Sequence, residues 1–127
     1  MENIVKKNLF AVIDAVVKKT MTMDLTWEWP CGVAYYGICQ AWEFTKNQEY
    51  LDFLTNWTKE YQKLGLPAWN VNTCAMGHTM LTLYQQTGEE FYYDIIKSKV
   101  KYLREDALRF GDKVLQHTVS SENDFPE

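Results

Sequence analysis

The sequence "WEFTKNQEYLDFL", beginning at Trp42, returns 42 residues later as "YQQTGEEFYYDII", beginning at Tyr84. Thr45 falls on Thr87, Tyr50 on Tyr92 and Asp52 on Asp94. A period of that length holds two helices and their connections, so each unit is a helical hairpin that buries its apolar face only against its neighbours.

The helices inside each unit differ in character. From Ile4 to about Thr22, Ile4, Val5, Leu9, Val12, Ile13, Val16 and Val17 fall at spacings of three and four, with Lys6, Lys7, Lys18 and Lys19 largely off that face, which reads as an amphipathic helix. Pro30 then opens "CGVAYYGICQAWEFT", apolar on nearly every side and so expected to be buried all round. Asn47 to Leu64 is one-sided again and stops at Gly65-Leu66-Pro67. "NVNTCAMGHTMLTLYQQTG" brings a second helix apolar on most faces, with Asn72 or Thr73 as its N-cap and Gly88 as its end. Glu89 to about Leu108 is amphipathic and laced with Lys97, Lys99, Lys101 and Arg104.

Alternating amphipathic and all-round-apolar helices predict an all-α helical-hairpin array of about five helices in one domain, residues 1–127. An open solenoid leaves each helix a solvent stripe, whereas a closed α/α toroid places one ring of helices inside another, so the apolar helices favour the toroid. Contact with solvent at such a ring's ends is where function is expected. Between Arg109 and Asp124 the helical period fails, and the alternation on either side of Gly111-Asp112 predicts a short β-hairpin or irregular segment near 109–124.

Composition narrows the partners. A net charge of -4 and a pI near 5.2 give no basic footprint for a phosphate backbone or an anionic membrane, and no run of about 18 apolar residues is present. Neither nucleic acid nor membrane is expected. Five Trp and eight Tyr supply amphipathic rings able to fill a core or line a sugar cleft. Cys31, Cys39 and Cys74 form an odd set without CxxC spacing, which fits a reducing, cytoplasmic compartment. With His78 and His117 they lack the paired spacing of a zinc site, so no metal is expected.

The last residues, "SSENDFPE", are turn and cap formers leading to Pro126, and "TWEWP" and "ENDFP" both set an aromatic before a proline. Pro126 thus repeats the role of Pro30 and announces a third inner helix.

The stretches "LTWEWPCGVAYYGI", "LPAWNVNTCAMGHTMLTLYQQTGEEFYYD" and "ALRFGDKVLQHTVSSENDFPE" resemble the N-terminal part of the unsaturated rhamnogalacturonyl hydrolases, glycoside hydrolase family 105, kin of the family 88 unsaturated glucuronyl hydrolases. The resemblance implies a partial (α/α)6 barrel, an incomplete toroid of two and a half hairpins. It implies a substrate, a pectin- or rhamnogalacturonan-derived oligosaccharide whose nonreducing end is a 4,5-unsaturated uronic acid. The family protonates the vinyl ether so that water adds across it, and the hemiketal formed opens to release the neighbouring sugar. That chemistry needs a carboxylic acid kept protonated near neutral pH, and no cofactor.

In the family the principal acid, an aspartate, stands in an aromatic-x-Asp segment near the start of the third inner helix. Its place falls beyond Glu127, so no catalytic residue is expected in this chain, and Asp124 reads as a turn or cap residue. Other family positions are matched here. Trp29 corresponds to the aromatic bordering the sugar, with a buried packing role as the alternative. Asn72 stands where many members carry an aspartate; its amide can hydrogen-bond hydroxyls but cannot serve as acid or base. His117 matches a histidine near the uronate. His78, equivalent by the repeat to Tyr36, fits a hydrogen-bonded core histidine or a cleft residue. Tyr36 and Trp69 complete the cleft candidates, each with core packing as the alternative.

Two function classes follow: an inactive piece of an unsaturated-uronyl hydrolase, or a non-catalytic helical protein that self-associates or binds sugar weakly. Helices that lack ring neighbours expose apolar sides, from which a homo-oligomer is expected.

Overall fold

The computed structural model describes residues 1–111 and 113–116. It contains α1 (Glu2–Met21), α2 (Trp29–Thr45), α3 (Gln48–Leu64), a 3-10 turn (Thr73–Met76) leading into α4 (Gly77–Thr87), α5 (Glu90–Lys101), a π-helical turn (Tyr102–Asp106), and strands β1 (Arg109–Phe110) and β2 (Val114–Leu115). The all-α array expected from the repeat is present, and the two antiparallel strands, paired Arg109 with Leu115 and Phe110 with Val114, lie where the helical period fails. His117 and Asp124 lie outside the described residues.

The repeat is written in hydrogen bonds as well as in sequence. Thr45 Oγ1 donates to the Ala41 carbonyl at 2.7 Å and accepts the Asn47 N–H at 3.2 Å, while Thr87 Oγ1 donates to the Leu83 carbonyl at 2.8 Å and accepts the Glu89 N–H at 3.2 Å. Between them stand Lys46, with φ 56°, and Gly88, with φ 69°, both left-handed and ending α2 and α4. A left-handed residue stops a helix by offering its N–H to the last free carbonyls, and the threonine then opens the next helix.

The repeated tyrosines tie the outer helices together. Tyr50 on α3 donates to Asp14 on α1 at 2.8 Å, and Tyr92 on α5 lies 3.3 Å from the hydroxyl of Thr58 on α3. Beneath them, α2 and α4 supply the centre of the core, with Tyr35, Ile38, Met80 and Leu83 buried against Tyr50, Leu54 and Tyr92. Trp27 is sunk just before α2 against Trp57 and Tyr61, with ring centroids 5.7 and 5.2 Å away.

The inner helices meet closely at one end. A Cβ at Gly32 would lie 2.5 Å from the Cβ and 2.8 Å from the carbonyl carbon of Ala75, so any side chain at position 32 forces α2 away from the 3-10 turn.

Two expectations about burial are corrected. Helix α2 is not buried on every side: Val33, Tyr36 and Phe44 are exposed, since helices on only some of its sides cover it. The apolar face of α1, with Val17 buried and Ile4, Val5, Leu9, Val12 and Val16 exposed, is bare in the way expected of a helix short of neighbours. His78 is exposed and therefore is not a core histidine; the position lies on the side of α4 turned from Met80 and Leu83.

Candidate functional site

Of the residues singled out in the sequence, Trp29 and Asn72 stand where the inner helices begin, while Tyr36 lies two turns into α2. Trp29 is the first residue of α2 and Asn72 immediately precedes the 3-10 turn that starts the second inner helix. The two starts are bound together because the indole N–H of buried Trp27 donates to the Thr73 carbonyl at 3.1 Å. Trp29 is 54% exposed, which removes the packing alternative and leaves an aromatic face open. Tyr36, 46% exposed, tilts against His78 with ring centroids 5.2 Å apart, so the repeat-equivalent positions of the two inner helices form one side-by-side pair.

The connection before the second inner helix is built around Thr73. Asn70 Oδ1 accepts the Thr73 N–H at 2.8 Å and Thr73 Oγ1 accepts the Asn70 N–H at 2.9 Å, a reciprocal cap in which each side chain satisfies the other's backbone donor. The capping role expected of Asn72 thus belongs to Asn70. Asn72 makes no cap bond with its side chain and is half-buried.

Lys99, one of the cations that lace this helix in the sequence, is 3% exposed. Its ammonium donates to the Thr73 carbonyl and lies 4.1 Å from the Trp69 ring centroid and 5.3 Å from that of Trp27. Trp69 in turn donates its indole N–H to Ser98 at 2.6 Å, so this cleft candidate is turned toward α5 and half-buried. A signal for Lys99 was present in the sequence: Tyr92, Ile95 and Ile96 are followed by Lys99 at the next step of the same apolar stripe. Burial pulls the Lys99 amine down to about 8.

Beside this cluster an apolar pocket of about 260 Å³ is lined by Cys74, His78, Leu81, Ile96, Lys99 and Leu103 among others. Among the described residues no carboxylate lines it. The Cys74 thiol is pushed up by burial, against the pull of Lys99, and so is not an activated nucleophile. Asp14, whose carboxyl is held low by hydrogen bonds from Lys18 and Tyr50, belongs to the outer helices and has the opposite character from an acid that stays protonated. Among the described residues no three His, Cys, Asp or Glu side chains converge as a metal site, and no helix is long and apolar enough to cross a membrane.

A family model described as Glycosyl Hydrolase Family 88 matches residues 2–127. The chain belongs to this family. It is 42% identical over 123 residues to the unsaturated rhamnogalacturonyl hydrolase YesR of Bacillus subtilis (strain 168), a match covering 96% of this chain and 36% of the relative. The chain thus spans about a third of the relative's length, and Trp29 and Tyr36 of α2 fall within the matched family region.

The Lys99 environment sets a pH dependence. A folded-state value near 8, below the ordinary 10.5, means that the cost of the buried cation is fully present below pH 8. Between about 8 and 10.5 the unfolded chain holds the proton that the folded chain has lost, so this contribution to stability rises with pH. The stability of the wild type minus that of Lys99→Met should rise by up to about 3 kcal/mol across that window, measured by urea unfolding; the Trp faces favour the cation and make this an upper bound. Cys31 and Tyr35, pushed up by burial, titrate in both proteins and cancel, and Cys74, which feels Lys99, is replaced by Ala in both. A difference that stays flat with pH contradicts the account.

Proposed function

We propose that the chain forms the sugar-facing N-terminal arc of a hydrolase of the unsaturated rhamnogalacturonyl type, glycoside hydrolase family 105, acting on pectin-derived oligosaccharides that end in a 4,5-unsaturated uronate. The observation that carries this reading is the pair of open aromatic faces on α2, Trp29 at its first residue and Tyr36 two turns on, in a chain related to a rhamnogalacturonyl hydrolase. A ring face takes the apolar side of a sugar, and His78 and Asn72 offer hydrogen bonds to its hydroxyls; for His117, outside the described residues, the resemblance alone suggests a role near the uronate. These residues bind and orient.

Vinyl-ether hydration also needs a proton donor, and in this reading that acid, the family's aromatic-x-Asp aspartate, stands on a third inner helix of a six-hairpin ring rather than among residues 1–127. The free thiols Cys31, Cys39 and Cys74 support a reducing, cytoplasmic setting. The 127-residue chain should therefore bind an unsaturated galacturonyl-rhamnose disaccharide, followed by Trp fluorescence, without loss of the ultraviolet absorbance of its double bond. Trp29→Ala should weaken binding about threefold to tenfold, the worth of one aromatic face. Turnover above a mock purification contradicts the missing acid, and no binding at millimolar sugar contradicts the cleft.

A second feature favours self-association of this chain. Val12 and Val16 of α1 with Val33, Gly37 and Phe44 of α2 line an open apolar groove of about 520 Å³, continuous with the exposed Val5 and Leu9. Apolar patches beyond a few hundred Å² are rare on soluble monomers. Sedimentation velocity should give a coefficient that grows with concentration and falls to the monomer value in Val12→Glu. A wild-type monomer at every concentration overturns this reading.

A further inference from the structure

Lys99 is an expensive residue for its place. Among the described residues no carboxylate pairs with it, and a buried ammonium without a counter-charge is a cost that an apolar side chain of the same length would avoid. What the ammonium supplies is geometry. It reaches from α5 to the Thr73 carbonyl while lying over Trp69 and beside Trp27, so one cation touches both the connection before the second inner helix and the residue that leads into the first.

Thr73 is the knot of that connection. Its hydroxyl lies 3.2 Å from the Ala68 carbonyl and accepts from Asn70, while Asn70 caps it in return. A contact that fixes Thr73 therefore fixes the whole stretch from Ala68 to Asn72. Among the described residues the neighbouring titratable groups are Cys74 and His78, which share the adjoining pocket, and Tyr102, which feels Cys74; none of them is a carboxylate.

We propose that Lys99 is the positioning residue of the sugar-facing end: its ammonium locks the Ala68–Thr73 connection, so that Asn72 at the start of the second inner helix is held in place before any sugar arrives. The proposal rests on the sugar-binding reading for its purpose, and on the ligand-free geometry for its substance. Pre-organisation of this kind acts through the competent fraction: a connection ordered in a tenth of the molecules raises the apparent Kd tenfold.

The test uses Lys99→Met, which keeps the stem without the charge, and Lys99→Ala, which empties the seat. The readouts are the assigned indole N–H resonances of Trp27 and Trp69 in the free protein, with Trp42 as control, and the Kd for the unsaturated disaccharide. With helical circular dichroism retained, both variants should shift or broaden Trp27 and Trp69 but not Trp42, and weaken binding about tenfold. Propylammonium added to Lys99→Ala should return both signals and bring the Kd within about threefold of wild type by reoccupying the cation seat, whereas propanol should not. Unchanged signals and affinity, or equal rescue by propanol, overturn the proposal, the latter because it reduces Lys99 to a space-filling stem. If the wild type binds no disaccharide, the sugar reading fails by itself, and the indole signals with their rescue still decide whether Lys99 locks the connection.

Discussion

The Thr73 carbonyl oxygen accepts both the indole N–H of Trp27 and the ammonium of Lys99. Through it the lead-in to α2, the start of the second inner helix and the far side of α5 share one atom. A buried carbonyl with two donors, one of them charged, is a fixed point in a region otherwise made of connections. Gly32 completes the joint, because only hydrogen there lets α2 come against Ala75. Trp29, at the first residue of α2, stands beside this joint, so the end proposed to face sugar would inherit its rigidity from it.

The outer shell is held differently. Tyr50 and Tyr92, a repeat apart, each send a hydroxyl to the preceding outer helix, to Asp14 and to Thr58. The cap built from Thr45 and Lys46 recurs as Thr87 and Gly88. Each hairpin thus carries its own stop signal and its own link backward, and the array grows by repetition. At α1 the backward link has no partner among the described residues, and there the apolar face is bare.

Local signals were legible in the sequence and tertiary ones were less so. The repeat, the helix order and the hairpin after Arg109 follow from period and turn chemistry, which depend on near neighbours along the chain. The exposure of Val33 and Phe44 could not be read, since an apolar side chain says that it seeks cover and not whether cover is present. Lys99 was passed over because its neighbours Lys97 and Lys101 face solvent, although its spacing from Tyr92 and Ile95 placed it on the buried stripe. Asn72 was given a cap that belongs to Asn70, a slip of two residues within "NVNT" that only the hydrogen bonds distinguish. Trp29 and Tyr36 were found through the resemblance, and their exposure is what gives that resemblance a surface to act on.

The central proposal is that sugar meets the described part of this chain along the open face of α2 and the start of the second inner helix. Residue-resolved NMR during titration with the unsaturated disaccharide tests it most directly. The account predicts shifts concentrated at Trp29, Tyr36, Asn72 and His78, with α1 and α3 silent. Shifts centred on the apolar groove between α1 and α2, or spread evenly over the surface, would contradict it.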